Sequence, residues 1–205
     1  MQPLTRRHLL GAAGATALAA APALAGASPA LAALPTPRPT ADDKGFLTFL
    51  ATGSKVLRDL YLRAGGTAGM SAADRRALTA LAEARRVAIL KSTGPLGGDA
   101  PQPGDFDSVF AASDLADRAS VLALAEKLER LLCGVEVNGA AYAADSATRL
   151  LIARLLSSDA EALAVVRGLA GKTGTTGLLG PVDVDAAGDV LDAYLSSPTA
   201  PQESR

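Results

Sequence analysis

Apolar residues recur every three to four positions in four separate stretches of the chain, and this spacing constrains the fold more than any other feature. In each stretch the apolar side chains would share one face of an α-helix. No stretch has the alternating, β-branched pattern that is typical of a strand. The sequence therefore predicts an all-α protein.

The first two predicted helices form a hairpin. The first begins at Asp42 or Asp43 and ends near Arg63. Ser71 is expected to cap the second helix, which stops near Gly94. Their buried faces are predicted to contain Phe46, Phe49, Leu50, Val56, Leu57, Leu60 and Tyr61 on the first helix, and Leu78, Leu81, Ala82, Ala88 and Ile89 on the second.

The third helix is predicted to begin at Ser113 or Asp114, either of which can serve as its N-cap. Gly134 and Gly139 are expected to weaken its far end, because each glycine costs about 1 kcal/mol relative to alanine inside a helix. Its buried face is predicted to contain Leu115, Leu122, Ala125, Leu128, Leu132 and Val135.

The fourth helix begins at Asp145 or Ser146 and ends at Gly168 or Gly171. A short fifth helix is predicted over residues 186–195. The buried faces of these two helices are predicted to contain Leu150, Leu151, Ala153, Leu155, Leu163 and Val166, followed by Val190, Leu191, Tyr194 and Leu195.

The segment "TGPLGGDAPQPGDFD" separates the second helix from the third and is rich in Gly, Pro and Asp. This composition is typical of a surface loop, here a long crossover between two helical hairpins. Two hairpins joined by a crossover predict a four-helix bundle with a short additional C-terminal helix. The bundle domain is predicted to span residues 42–197, with a disordered tail over 198–205.

The N-terminal segment has the layout of an export signal. Arg6 and Arg7 precede an Ala- and Gly-rich apolar run over residues 9–21, and no acidic residue occurs before Asp42. The stretch Thr5-Arg6-Arg7-His8-Leu9-Leu10 resembles the twin-arginine translocation (Tat) motif. This resemblance implies a bacterial protein that is exported through the Tat pathway to the periplasm or the cell exterior.

Two small-x-small sites could serve for cleavage of the signal. They are Ala23-Leu24-Ala25 and Ala30-Leu31-Ala32, and the second precedes the Pro-rich stretch "LPTPRPT". We favour the second site, which gives a signal peptide over 1–32 and a linker over 33–41. An uncleaved membrane anchor fits less well, because the run is dominated by alanine and is interrupted by prolines.

Cleavage would change the charge of the protein and the chemistry open to it. Removing Arg6 and Arg7 from the 20 basic residues leaves 18 against 21 acidic residues, a net charge of −3. This balance provides no basic surface for nucleic acid or for anionic lipid, so neither nucleic acid nor a membrane beyond the signal peptide is an expected partner. The only histidine, His8, would be removed with the signal. Catalysis by Ser/His/Asp or Cys/His arrangements is therefore excluded from the mature chain.

Cys133 is the only cysteine, so an intrachain disulfide cannot form. It lies one residue from the predicted buried stripe of the third helix. We interpret it as a buried, unreactive thiol, with a redox or intermolecular role as the alternative.

Two other motifs are incomplete. Gly171-Lys172-Thr173 matches the end of a phosphate-binding loop, but Val166 stands where the motif requires glycine. The segment from Asp183 begins like a calcium loop, but Tyr194 stands in the place of its bidentate glutamate. We interpret the first as a loop that ends a helix and the second as the cap of the short fifth helix.

The second half of the sequence resembles the secreted ferritin-like domain proteins. The matching stretches are Leu128-Glu129, Ala140-Ala141-Tyr142 and Ala164-Val165-Val166-Arg167. The first half matches more loosely, through Phe46-Leu47 to Tyr61 and through Glu83-Ala84-Arg85-Arg86. The resemblance implies a ferritin-like four-helix bundle, in which metal-binding members use glutamates and two Glu-x-x-His pairs around a di-metal site.

This sequence departs from that metal-binding pattern at most positions. The first helix has Ser54 near the expected glutamate, and the second has Glu83 followed by Arg86 in place of histidine. The third helix keeps Glu129. The fourth has Asp159, with Ala162 standing in place of histidine. Arginine cannot bind a metal, because its guanidinium has no acceptor lone pair, and Arg86 is expected to neutralise a carboxylate such as Glu83.

These departures predict a bundle without a functional di-iron site and without a bound cofactor. We expect a non-catalytic binding or accessory protein, with a protein partner exported together with it through the Tat route. By analogy alone, the small subunits of secreted sugar and gluconate dehydrogenases are similar in size and carry such a signal. The alternative is a metal site of carboxylates only, built from Glu83, Glu129 and Asp159, with Glu126 or Glu161 as further candidates.

Overall fold

The computed structural model describes residues 35–102, 104–173 and 179–196. Helices dominate these residues, so the predicted all-α class is confirmed. None of these helices combines the length and the apolar composition that crossing a bilayer requires. The predicted export signal with Arg6 and Arg7, and the predicted tail at 198–205, lie outside the described residues.

The first hairpin consists of helix α1, Ala41–Ala64, and helix α2, Ala72–Thr93. Thr40 caps α1, and Ser71 caps α2 as predicted. In both caps the hydroxyl accepts a hydrogen bond from the third residue of the helix, whose own carboxylate accepts one from the cap. These reciprocal bonds satisfy backbone N–H groups that would otherwise lack partners.

Helix α3, Arg118–Tyr142, begins later than the sequence predicted. Its N-cap is Asp117 rather than Ser113 or Asp114. The Asp114 carboxylate accepts a hydrogen bond from the backbone N–H of Ala111 at 3.0 Å, so it closes a turn before the helix. Aspartate favours both turns and caps, and spacing alone did not distinguish the two uses.

Helix α3 continues through Gly134 and Gly139 to Tyr142. Both glycines lie where another segment comes very close to the helix. A Cβ at Gly139 would be 2.9 Å from Cδ1 of Ile152 and 3.1 Å from Cδ1 of Phe46. At Gly134 it would be 2.4 Å from Cγ2 of Val182. The missing side chains therefore allow close packing.

The second hairpin pairs α3 with helix α4, Ser146–Leu169, which is capped by Asp145. The short helix α5, Val184–Asp192, is displaced towards the N-terminus from the predicted range 186–195. Asp183 caps α5 by accepting hydrogen bonds from two backbone N–H groups, in agreement with its interpretation as a cap. Helices α3, α4 and α5 therefore each have an aspartate as their N-cap.

The crossover between the hairpins contains regular structure that the sequence did not predict. A 3-10 helix spans Gly94–Asp99, and strand β1, Asp107–Ser108, pairs antiparallel with strand β2, Leu195–Ser196. Each strand has two residues, which is too short to produce an alternating pattern. Their pairing depends on a segment that is distant in the sequence.

Contacts at one end of the molecule join the two hairpins. Asp43, in the first turn of α1, is buried and accepts hydrogen bonds from the backbone N–H groups of Ala144 at 2.6 Å and Asp145 at 3.0 Å. These two groups lie between α3 and α4. The start of α1 is therefore beside the end of α3 and the start of α4.

Contacts at the opposite end involve Arg118, the first residue of α3. Its guanidinium donates to Asp74 in the first turn of α2 at 2.8 Å and to the carbonyl oxygen of Leu169 at the end of α4 at 2.6 Å. Helices α1 and α4 therefore run in one direction, and α2 and α3 run in the other. The crossover must travel the length of the hairpins to join two helices that point the same way.

The core lies between the inner faces of the four long helices and is rich in leucine. Most predicted core residues are buried, but Leu150 is exposed, as is Ala153. Ile152 is buried in their place because α4 is rotated relative to the predicted register. The fully buried aliphatic residues include Leu47, Val56, Leu57, Leu60, Val121, Leu128, Leu132, Val135, Ile152 and Val166.

Replacing Gly139 with alanine tests the close packing of α3. We expect G139A to lower the free energy of unfolding by about 1–3 kcal/mol, because the added methyl group would overlap Ile152 and Phe46. The matched control is Gly45→Ala in α1, where no atom lies within 4 Å of the added Cβ. G45A should raise the free energy of unfolding by about 0.5–1 kcal/mol through helix propensity. Urea unfolding measures both, and equal effects would contradict the close packing at Gly139.

Candidate functional site: a buried arginine between two carboxylates

Arg85 lies on the buried face of α2, where helical spacing would favour an apolar residue. The buried residues of this face include Leu78, Leu81, Ala82 and Ala88, so Arg85 occupies a core position. Only 1% of its side-chain surface is exposed. Arginine is almost never buried to this degree unless its charge is paired.

Two carboxylates from the second hairpin bind the Arg85 guanidinium. Its Nη1 donates to Oδ2 of Asp159 on α4 at 2.5 Å, and its Nη2 donates to Oε2 of Glu129 on α3. Both carboxylates are buried as well. The three charged groups therefore form an ion-pair cluster that joins the first hairpin to the second inside the core.

Helix α1 completes the cluster with Tyr61. Tyr61 donates its hydroxyl hydrogen to Oε1 of Glu129, so both oxygens of this carboxylate have a partner. Ser54, the residue near the position where the ferritin-like pattern expects a glutamate, is also buried. Side chains from all four long helices thus enclose one polar region within a leucine-rich core.

Glu136 is a further buried acid beside this cluster. It lies on α3 two turns after Glu129, close to the carboxylate of Asp159. Burial, followed by the charge of Asp159, raises the pKa of Glu136 well above its ordinary value. Its surroundings therefore favour the protonated form of Glu136. Within the described residues, its Oε2 and the Nε of Arg85 are buried without a hydrogen-bond partner.

The electrostatics of the cluster follow from burial. Burial raises the pKa of Glu129 to about 7; the Arg85 charge lowers it in part, and the Asp159 charge adds to the rise. Burial alone would lower the pKa of Arg85, but the two carboxylates raise it above the ordinary value. Burial and the Glu129 charge raise the pKa of Tyr61, so its hydroxyl remains a donor. Arg85 is therefore a permanent cation, while Glu129 can exchange a proton near neutral pH.

The structure brings together two of the three predicted metal candidates. Glu129 and Asp159 meet at Arg85, whereas Glu83 is exposed on the outer face of α2. Arg86 pairs with Glu83, its Nη2 lying 2.6 Å from Oε1, as the sequence predicted. This pair is on the surface, however, and the core arginine is the preceding residue. In the described part of the chain, no three His, Cys, Asp or Glu residues are arranged to hold a metal ion.

The remaining candidates lie apart from the cluster. Glu126 is bound by Arg167 of α4 and by Lys172, whose ammonium group lies 2.5 Å from it, so Glu126 joins α3 to the end of α4 and the residues after it. Glu161 is exposed. Cys133 is buried as predicted, and burial raises the pKa of its thiol, which disfavours the reactive thiolate.

Sequence reasoning missed Arg85, Glu136 and the polar role of Tyr61. The signal for Arg85 was present, because it is three residues after Ala82 and three before Ala88 on the predicted stripe. Matching the second helix to Glu-x-x-His directed attention to Arg86 instead. A shift of one residue turns a helical side chain by about 100°, so only one of two adjacent arginines can face the core.

Comparison of the chain with family models, curated proteins and solved structures found no match. Any function must therefore be inferred from the geometry of its own residues. The Arg85 cluster is enclosed by the core, and its cation is held by two carboxylates. Such an arrangement can join helices and hold a proton, but the guanidinium offers no lone pair to a metal.

The raised pKa of Glu129 predicts that the protein loses stability as the pH rises towards neutrality. From about 4.5, its ordinary value, to about 7, the folded state holds this proton more tightly than the unfolded chain. The free energy of unfolding should therefore fall over this window, by up to about 3 kcal/mol. The groups facing Glu129 are Arg85, Asp159 and Tyr61, and the pKa values of Arg85 and Tyr61 are raised away from this window.

Glu129→Gln keeps the shape of the side chain and removes its titration. We expect E129Q to show a flatter dependence of the free energy of unfolding on pH between 5 and 7, measured by urea unfolding in a pH series. Any slope that other groups cause would remain in the variant. An unchanged slope between pH 5 and 7 would show that Glu129 is ionised throughout.

Proposed function

We propose that this protein is an exported helical bundle of the ferritin-like kind, in which an arginine takes the place of the metal, and that it works as a non-catalytic binding or accessory protein. One observation carries the proposal. The Arg85 guanidinium lies between Glu129 and Asp159 in the interior, where the positive charge of an ion would otherwise balance the carboxylates. The charge of a metal centre is thus supplied by the chain itself.

The directions of the helices support the ferritin-like part of the proposal. Two hairpins are joined by a long crossover, so that α2 and α3 run the same way. Arg85, Glu129, Asp159 and Ser54 each lie near the middle of their helix. Metal sites of helix bundles are built in the same place, from side chains on facing helices.

Export is proposed from the twin-arginine stretch at Arg6 and Arg7. This pathway carries proteins that are already folded, which suits a core containing a buried ion pair. A helical bundle without catalytic groups of its own would most simply serve as the partner of a second protein that folds and is exported together with it. The small subunit of a secreted dehydrogenase remains an analogy for such a role.

A metal site made only of carboxylates is the alternative. Glu83, one of its three predicted ligands, is exposed on the outer face of α2, which weighs against the site as predicted. Without Glu83, the site would be assembled from Glu129, Glu136 and Asp159. The Arg85 guanidinium already lies among these acids and binds two of them. A metal cation bound by these acids would lie beside the guanidinium, and the two positive charges would repel each other.

Metal analysis of the exported chain tests the proposal. The protein should be expressed with its own signal, purified without a tag and analysed by mass spectrometry for Fe, Mn, Zn, Mg and Ca. We expect far less than one ion of any metal per chain, because Arg85 already neutralises the cluster. Stoichiometric Fe or Mn in the wild-type protein would overturn the proposal.

The variant Arg85→Ala sharpens this test. Removing the guanidinium leaves two buried carboxylates uncompensated, which should lower the free energy of unfolding by about 3–5 kcal/mol. Mn²⁺ or Zn²⁺ should then raise the melting temperature of R85A but not that of the wild type. Arg86→Ala is the matched control, since it removes an adjacent arginine that is exposed. Equal responses of R85A and R86A to metal would show that Arg85 does not occupy an ion's place.

Mild purification of the exported chain tests the accessory role. We expect it to elute in a complex with a second protein that crosses through the same pathway. Replacing Arg6 and Arg7 with lysine is the control, because it should block the export of the chain. Elution of the exported protein as a lone monomer would contradict the accessory role while leaving the ion-pair proposal intact.

A further inference from the structure

A groove lies on the outer side of the first hairpin, away from the Arg85 cluster. Helices α1 and α2 form two of its walls and the crossover forms the third. Its volume is about 290 Å³. Its lining includes Ala51, Thr52, Arg58, Leu90, Pro101 and Phe106.

The walls of this groove are mainly apolar. Leu90 contributes to one side, with 58% of its surface exposed, and Ile89 beside it is half-buried. Phe106 of the crossover contributes an aromatic ring to the facing side. Concave surfaces with mainly apolar walls are typical of small-molecule sites.

Every charged residue that lines the groove is a cation. They are Lys55 and Arg58 on α1 and Arg86 on α2. No acidic side chain lines it, although the chain as a whole carries slightly more acidic than basic residues.

Two of these cations have close partners and one does not. The Lys55 ammonium group donates to Asp59 at 3.2 Å and lies 4.6 Å from the centre of the Phe106 ring. Arg86 is held by Glu83. Arg58 makes only a 3.9 Å contact with Asp59 among the described residues. Its guanidinium is the cation most available to an anion from solution.

We propose that this groove binds a small amphipathic anion, an aliphatic or aromatic carboxylate. The apolar part would lie against Leu90, Ile89 and Phe106, and the carboxylate would accept hydrogen bonds from Arg58. The volume is near the lower limit of about 300 Å³ for small-molecule sites, which suits a short chain or a single ring. A cationic or strongly polar ligand would lack a partner here.

This proposal does not depend on the proposed function of the core. Arg85 and Arg86 are adjacent in α2, but the first faces the core and the second faces the groove. Variants of the groove can therefore fail to bind a carboxylate while the metal content of the protein remains as expected. The two proposals can be overturned separately.

Titration calorimetry of the full chain with octanoate tests the groove. Octylammonium is the matched control, because it has the same alkyl chain and the opposite charge. We expect octanoate to bind at one site per chain, about tenfold more tightly than octylammonium. Absence of octanoate binding at millimolar concentration would overturn the proposal. Equal binding of the two compounds would overturn its anionic part.

Two pairs of variants locate the binding. Arg58→Ala and Leu90→Ala should each weaken octanoate binding by about fivefold to tenfold. The control for R58A is Arg154→Ala, which removes an exposed arginine on α4, and the control for L90A is Leu62→Ala, which removes an exposed leucine outside the groove. Both controls should bind octanoate like the wild type. Equal losses in variants and controls would place the binding elsewhere and overturn the assignment to this groove.

Discussion

The contact of Arg85 with Glu129 and Asp159 decides how the two hairpins fit together. Leucine-rich faces attract each other without much directional preference, so they can pack with small shifts at little cost. A buried guanidinium that must satisfy two carboxylates tolerates no such shift, because each unpaired charge in the core would cost several kcal/mol. The apolar faces therefore supply most of the stability, and the ion-pair cluster selects one alignment of α2 against α3 and α4. Tyr61 extends this selection to α1.

Most of the fold could be predicted from the sequence, because local features determine it. The apolar period identified the helices, and Ser71 and Asp145 marked helix starts through their own side chains. Several failures occurred where a distant segment decides the outcome. Two-residue strands form only because the crossover meets the segment after α5, and the close packing at Gly139 depends on Ile152 of α4 and Phe46 of α1. No local window of sequence contains that information.

The candidate site could be predicted only in part. Glu129 and Asp159 were identified by their places on the third and fourth helices, and the structure joins them. Arg85 was missed because the second helix was aligned to a metal-binding pattern rather than to its own apolar stripe. Glu136 could not have been chosen, since a buried acid without an obvious partner has no distinguishing sequence signal. Burial and pairing are properties of the assembled helices, and residue type alone does not encode them.

Helix α3 is attached to other helices at both ends, so its length fixes the distance between those two attachments. Arg118 ties its first turn to α2 and α4, and the N–H groups just after its last turn bind Asp43 of α1. Glu129 fixes a third point between them. An inserted or deleted residue would rotate everything beyond it by about 100° and move it by about 1.5 Å along the axis, so at least one of the three attachments would be lost. Evolutionary variation in chain length should therefore concentrate in the crossover and leave α3 unchanged.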